Sequence, residues 1–135
     1  MQRTVKIARS VGGLEQLFNF LEQELSGEQV DEKTAFCVNL AAEELFTNLV
    51  RHNEGGADSI VAGLEISPRQ IELQFVDRDV EPFDPESVPE VDINEPLETR
   101  RPGGLGVHLV RSIVDRLSYS YDNRELTVSV IKKRN

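Results

Sequence analysis

The sequence is short of the residues on which several protein classes depend. It has one cysteine, Cys37, so no internal disulfide can form, and its two histidines, His52 and His108, leave no Cys/His cluster with zinc spacing. A structural zinc site is excluded. No run approaches the roughly 18 apolar residues that a bilayer span requires, and residues 1–10 lack the apolar centre of a secretory signal. The expected location is cytoplasmic, with no membrane partner. Positive charge is also scarce, with 15 Lys+Arg against 24 Asp+Glu and a net charge of -9. Binding to nucleic acid phosphates is driven by Lys and Arg displacing condensed counterions, so no direct nucleic acid partner is expected.

What is present suffices for one folded domain spanning residues 1–135, with 39% hydrophobic and 29% charged residues. The acidity is concentrated. Between Asp77 and Glu98 there are nine acidic residues and one basic residue, Arg78. Pro82, Pro85, Pro89 and Pro96 fall in the same window, and Pro102 closes it. So many prolines deny the segment a regular helix or a central strand. A long irregular segment in a compact domain is usually functional, and a lid is expected at about 84–103.

Elsewhere the periodicities are regular. Arg3 to Ala8 alternates as a short strand. Leu14, Leu17, Phe18, Leu21 and Leu25 follow at helical spacing, with Ser10 as the expected cap. A longer helical pattern runs from about Glu28 to Asn53 and is ended by Gly55-Gly56. Two alternating runs, 60–66 and 70–76, flank Ser67-Pro68-Arg69 and predict a hairpin, with Ile71, Leu73 and Phe75 on one face. Gly104 to Leu117 predicts a third helix, and runs at 118–121 and 125–132 predict a closing hairpin around Asp122-Asn123-Arg124. The order β-α-α-β-β-lid-α-β-β implies an α+β, two-layer sandwich: a mostly antiparallel sheet covered on one face by three helices.

Three features carry possible chemistry. Glu44, Asn48 and His52 stack at i, i+4 and i+8 on a stripe that also holds Cys37 and Ala41. Polar groups on an apolar face need a partner, and a ligand or metal is one; the alternative is a helix turned slightly so that the stripe is solvated. Asp77 ends a strand, where a carboxylate can accept from the exocyclic amine of a base or simply begin a turn. Pro102-Gly103-Gly104-Leu105-Gly106 precedes a helix, whose exposed N–H groups and positive dipole suit phosphate oxygens. It is neither a Walker loop nor a full Rossmann fingerprint.

In this order the segments resemble the superfamily of gyrase, heat-shock chaperone, histidine kinase and mismatch-repair ATPases. The resemblance is to its stand-alone bacterial branch, the anti-sigma-factor serine/threonine protein kinases. Glu44 to His52 is similar to the family's E-x-x-x-N-x-x-x-H box. Asp77 with Pro82-Phe83-Asp84-Pro85 is similar to the adenine-binding segment, residues 103–111 to the second glycine box, and Asn123 to Thr127 to the closing N-x-x-L-T strand. The resemblance implies a Bergerat-type ATP-binding fold with ATP and Mg²⁺ as cofactors. Asn48 would offer an oxygen to Mg²⁺ and so contact the nucleotide, and Glu44 would be the general base. Asp77 would bind the adenine amine, supported by Thr127, and Gly103, Gly104 and Gly106 would let the backbone close on the phosphates. Asp79 stands where the family has glycine; aspartate tolerates positive φ, so the turn is expected to survive.

The resemblance further implies an ATP-dependent serine/threonine kinase of a partner-switching system. Such an enzyme phosphorylates an anti-sigma-factor antagonist, sequesters a sigma factor, and is compatible with a homodimer. The alternative is a nucleotide-binding interaction module with little or no phosphoryl transfer, motivated by the charge of Asp79. A sensor histidine kinase is disfavoured, since no helix carries a phosphoacceptor histidine followed by an acid and then Thr or Asn and Pro. His52 either belongs to the box or complements a helix dipole, Arg100 and Arg101 meet either phosphate or the acidic lid, and Cys37 is expected to pack.

Overall fold

The computed structural model describes residues 2–10, 12–52, 57–80 and 104–134. Along the chain these form β1 (Gln2–Ala8), α1 (Gly13–Gly27), α2 (Glu32–His52), β2 (Ser59–Ile66), β3 (Gln70–Asp77), α3 (Gly104–Ile113), β4 (Arg116–Asp122) and β5 (Glu125–Lys133). The expected order of elements is reproduced. The expected lid at about 84–103, Pro82-Phe83-Asp84-Pro85, Arg100, Arg101 and Gly103 lie outside the described residues.

The five strands form one sheet in the order β1-β2-β3-β5-β4, and all four pairings are antiparallel. Strand alternation assigns the two faces. Ile7, Ile60, Ala62, Leu64, Ile71, Leu73, Phe75, Leu126, Val128 and Val130 are buried on one face, against Leu17, Leu21 and Leu25 of α1, Val38, Leu45, Phe46 and Leu49 of α2, and Val110 of α3. All three helices therefore cover that face. Phe46 and Phe75 join α2 to the central strand, their ring centroids 6.3 Å apart and tilted by 41°.

Element ends differ from expectation for identifiable reasons. α1 is not capped by the Ser10 hydroxyl. Gly12 is the cap residue without a side-chain bond, and the Ser10 carbonyl accepts from Gly13 N–H at 2.9 Å. Gly13 itself is required by packing, since a Cβ there would collide with the Ala8 carbonyl oxygen and lie 2.9 Å from Ile7 Cγ2. α2 begins at Glu32 rather than near Glu28, because Gln29 takes a positive φ of 54°. Asp31 then caps the helix, its Oδ2 accepting from Thr34 N–H at 3.0 Å. α3 stops at Ile113, and the last part of the expected helix, including Leu117, belongs to β4, where Leu117 and Tyr119 pair with Val130 and Val128. Pairing along a whole strand outweighs one further turn of helix.

The β4–β5 hairpin turns through Asn123 and Arg124, whose φ values of 51° and 63° are those of a type I′ turn. This turn also holds the chain leaving β3. Val80 N–H donates to the Arg124 carbonyl at 2.9 Å, the Tyr121 hydroxyl donates to the Val80 carbonyl at 2.7 Å, and Arg124 Nη2 reaches the Asp79 carbonyl at 3.3 Å. Among the described residues, no helix is long and apolar enough to cross a membrane.

Candidate functional site

Asp77 is the last residue of β3, and the register places its side chain on the helix-covered face of the sheet. It pairs with Leu126, which in turn pairs with Tyr121, so the three form one row across β3, β5 and β4. Asp77 is fully buried, at 0% exposure. A carboxylate in that position requires a charged or hydrogen-bonding partner. Arg9, in the bend after β1, supplies one: its guanidinium donates from Nη2 to Asp77 Oδ1. The same group donates from Nε to the Ala57 carbonyl and from Nη1 to the Leu49 carbonyl, the latter at 3.4 Å. One side chain thereby gathers the end of β1, the last turns of α2, the chain entering β2 and the end of β3.

The main chain after Asp77 turns sharply. Asp79 has a φ of 56°, so the left-handed turn expected at this position is made without glycine. Ala57 N–H closes the other side by donating to the Arg78 carbonyl at 2.9 Å. Arg78 and Glu125 add an exposed ion pair at 3.4 Å.

On α2 the buried face runs through Thr34, Val38, Ala41, Ala42, Leu45, Phe46 and Leu49. Glu44, Asn48 and Cys37 lie at its margin and are half-buried. Ala41 of the same stripe is fully buried, so Glu44 and Asn48 stand at the edge of the core, neither enclosed by it nor fully solvated. Asn48 immediately precedes Leu49, whose carbonyl Arg9 reaches, and this brings the end of the stripe to the neighbourhood of Asp77. His52 closes α2, and Gly104 and Gly106 occupy the first turn of α3. α3 packs against α2.

Thr127 is not brought to Asp77. Its register partners are Val76 and Ser120, so its side chain stands on the opposite, open face of the sheet. The residue facing Asp77 is Leu126, which is apolar and buried. The supporting role expected of Thr127 toward Asp77 is corrected accordingly: a shift of one residue along a strand reverses the face. Arg9 was the residue missed. The only signal for it is indirect, because a buried Asp77 demands a cation, and no spacing rule selects one of the chain's Lys and Arg residues.

Among the described residues, no group of three or more His, Cys, Asp or Glu could hold a metal ion by itself. Mg²⁺ does not require such a cage, because it is commonly held by one or two side chains together with phosphate oxygens and water. Asn48, with a neutral amide oxygen at the margin of the core, fits that limited role. Asp77 fits an amine-bearing base as a buried acceptor, provided that Arg9 yields. A separate groove of about 430 Å³ between α1 and α2 is lined by Phe18, Glu22, Leu25, Ser26, Ala35 and Asn39. It contains none of the residues expected at the site.

Comparison with known proteins agrees with this architecture. A family model described as a histidine kinase-like ATPase domain matches residues 8–132. Among solved structures, the chain is similar to the RsbU and RsbW domains of Rv1364c from Mycobacterium tuberculosis, with a TM-score of 0.71 and 12% identity, covering 100% of this chain and 33% of that one. The chain thus spans about a third of the length of that protein, and at this identity the likeness is one of fold. No curated protein matches the chain.

Proposed function

Because the chain belongs to the histidine kinase-like ATPase domain family, we propose that it binds Mg-ATP between α2 and the end of β3 and acts as a partner-switching protein kinase. The buried carboxylate of Asp77, on the helix-covered face of a Bergerat-type sheet, is the observation that carries this reading. In it, Asp77 accepts a hydrogen bond from the adenine amine, and Asn48 offers its side-chain oxygen to the magnesium ion. When bound, that ion neutralises phosphate charge. Glu44, one helical turn before Asn48, orients or deprotonates the attacking hydroxyl of the protein substrate, a contribution typically worth about 10²- to 10⁴-fold in rate. Gly103, Gly104 and Gly106 let the backbone approach the phosphates at the start of α3.

The acceptor in this reading is a Ser or Thr of an anti-sigma-factor antagonist, with a sigma factor as the alternating partner. Support comes from the sequence resemblance and from the fold shared with a structure that includes an RsbW domain. The direct test is incubation with labelled ATP and a candidate antagonist, alongside a thermal-shift titration with Mg-ATP. A ligand that binds only the native state at about 100 times its dissociation constant adds about 2.7 kcal/mol. For a domain of this size that raises the melting temperature by several degrees. Absence of any shift at millimolar Mg-ATP would overturn the nucleotide reading. A shift without transfer to any hydroxyl acceptor would leave the protein a nucleotide-gated binding module.

A further inference from the structure

Arg9 and Asp77 form an ion pair between two almost inaccessible groups, with side-chain exposures of 8% and 0%. Asp77 Oδ1 is the oxygen that the guanidinium engages, so a nucleobase amine approaching that oxygen from the same side has to displace Arg9. Arg9 is the longer and more flexible partner of the pair. Its backbone is held independently, through Arg9 N–H to the Asp58 carbonyl at 2.9 Å, so the side chain can swing while the strand end stays in place. Asp58 is exposed, and its negative charge interacts electrostatically with Arg9. Burial disfavours the charged guanidinium in its present position, a cost that withdrawal into solvent would relieve.

We propose that Arg9 is a gatekeeper of the Asp77 site: its guanidinium occupies the carboxylate in the closed form, and an adenine nucleotide binds only to the form in which Arg9 has withdrawn. This rests on the assignment of Asp77 as the nucleotide-binding carboxylate. The consequence is quantitative, because a ligand that binds one form has its apparent affinity reduced by the fraction of molecules in that form. If about one molecule in ten is open, the apparent dissociation constant is about tenfold weaker than the intrinsic one. Arg9 thus sets affinity without itself contacting the nucleotide.

The test is calorimetric titration of the full chain with Mg-ATP, for the wild type, Arg9→Gln and Arg9→Lys, with nuclear magnetic resonance of the Arg9 Nε–H in the wild type. Arg9→Gln, which keeps a donor but loses the charge, should bind at least about tenfold tighter, and Arg9→Lys should lie between. Nucleotide binding to Arg9→Gln without detectable binding to the wild type would support the same conclusion. In the wild type, saturating Mg-ATP should shift the Arg9 Nε–H resonance or broaden it by solvent exchange. This measurement stands even if a variant does not fold. Equal or weaker binding by Arg9→Gln, or an Arg9 resonance unchanged with nucleotide bound, overturns the gate while leaving the nucleotide site intact. No binding by the wild type and both variants overturns the nucleotide reading and the gate together.

Discussion

Thr34 and Tyr119 show how single side chains set this protein's tolerances. Thr34 is fully buried, and among the described residues its Oγ1 has no hydrogen-bond partner, although its N–H is satisfied by Asp31. Valine would keep the shape and remove the desolvated hydroxyl. Thr34→Val is therefore expected to stabilise the fold by roughly 1 kcal/mol, seen as a higher urea midpoint at constant m. Tyr119, on the core face of β4, has its phenol pKa raised by burial, partly offset by Arg111. The raised value means that the folded state holds the proton more tightly than the unfolded chain. The contribution is complete below the unfolded value of about 10 and is lost as pH rises through the higher folded value. Tyr119→Phe should accordingly move the alkaline limb of the stability profile to higher pH. Asp77 belongs at this scale as well. Asp77→Asn should abolish most of the Mg-ATP melting shift, because an amide presents a mismatched donor to the adenine amine and loses the charge. An unchanged shift would show that the adenine contact lies elsewhere.

At the scale of elements, the two ends of α1 make opposite demands on glycine. Gly13 sits where helix and strand approach too closely for a Cβ, with Ile7, Ala8 and Phe46 in the way. Gly27, the last residue of the helix, would place a Cβ with nothing within 4 Å. Gly13→Ala is thus expected to cost about 1–3 kcal/mol by overpacking, and Gly27→Ala to gain about 0.5–1 kcal/mol by reducing the freedom of the unfolded chain. Chemical denaturation of the two variants should give changes of opposite sign. The β4–β5 turn illustrates another element-scale constraint: its two positive-φ residues are held because the Arg124 carbonyl and guanidinium also anchor Val80 and Asp79.

At the scale of the whole molecule, stability and ligation are linked, and the two residues of the α2 stripe should separate them. Glu44→Ala should lower phosphoryl transfer far more than nucleotide affinity, since a general base acts in the transition state and not on the bound nucleotide. Asn48→Ala should instead weaken Mg-ATP binding itself. Transfer at the wild-type rate by Glu44→Ala removes it as the base, and normal binding by Asn48→Ala removes it from the metal site. Calorimetry paired with a single-turnover assay distinguishes these outcomes.

The element order, the α+β class and the identity of the core face were legible in the residues alone, because helical and strand periodicities record which side of each segment meets the core. Ile71, Leu73 and Phe75 are an example: their alternation requires burial on one face, and all three are buried. The left-handed turn at Asp79 followed from the resemblance, in which glycine stands at that position, and from the tolerance of aspartate for positive φ. Element ends were less so, since Gly13 and Leu117 answer to neighbours distant in sequence, Phe46 and Val130 among them. The Arg9–Asp77 pair and the turning of Thr127 away from Asp77 were decided by tertiary structure. Sequence spacing specifies the period of a strand but not its partner's register, and it carries no record of which cation crosses 68 residues to neutralise a buried carboxylate.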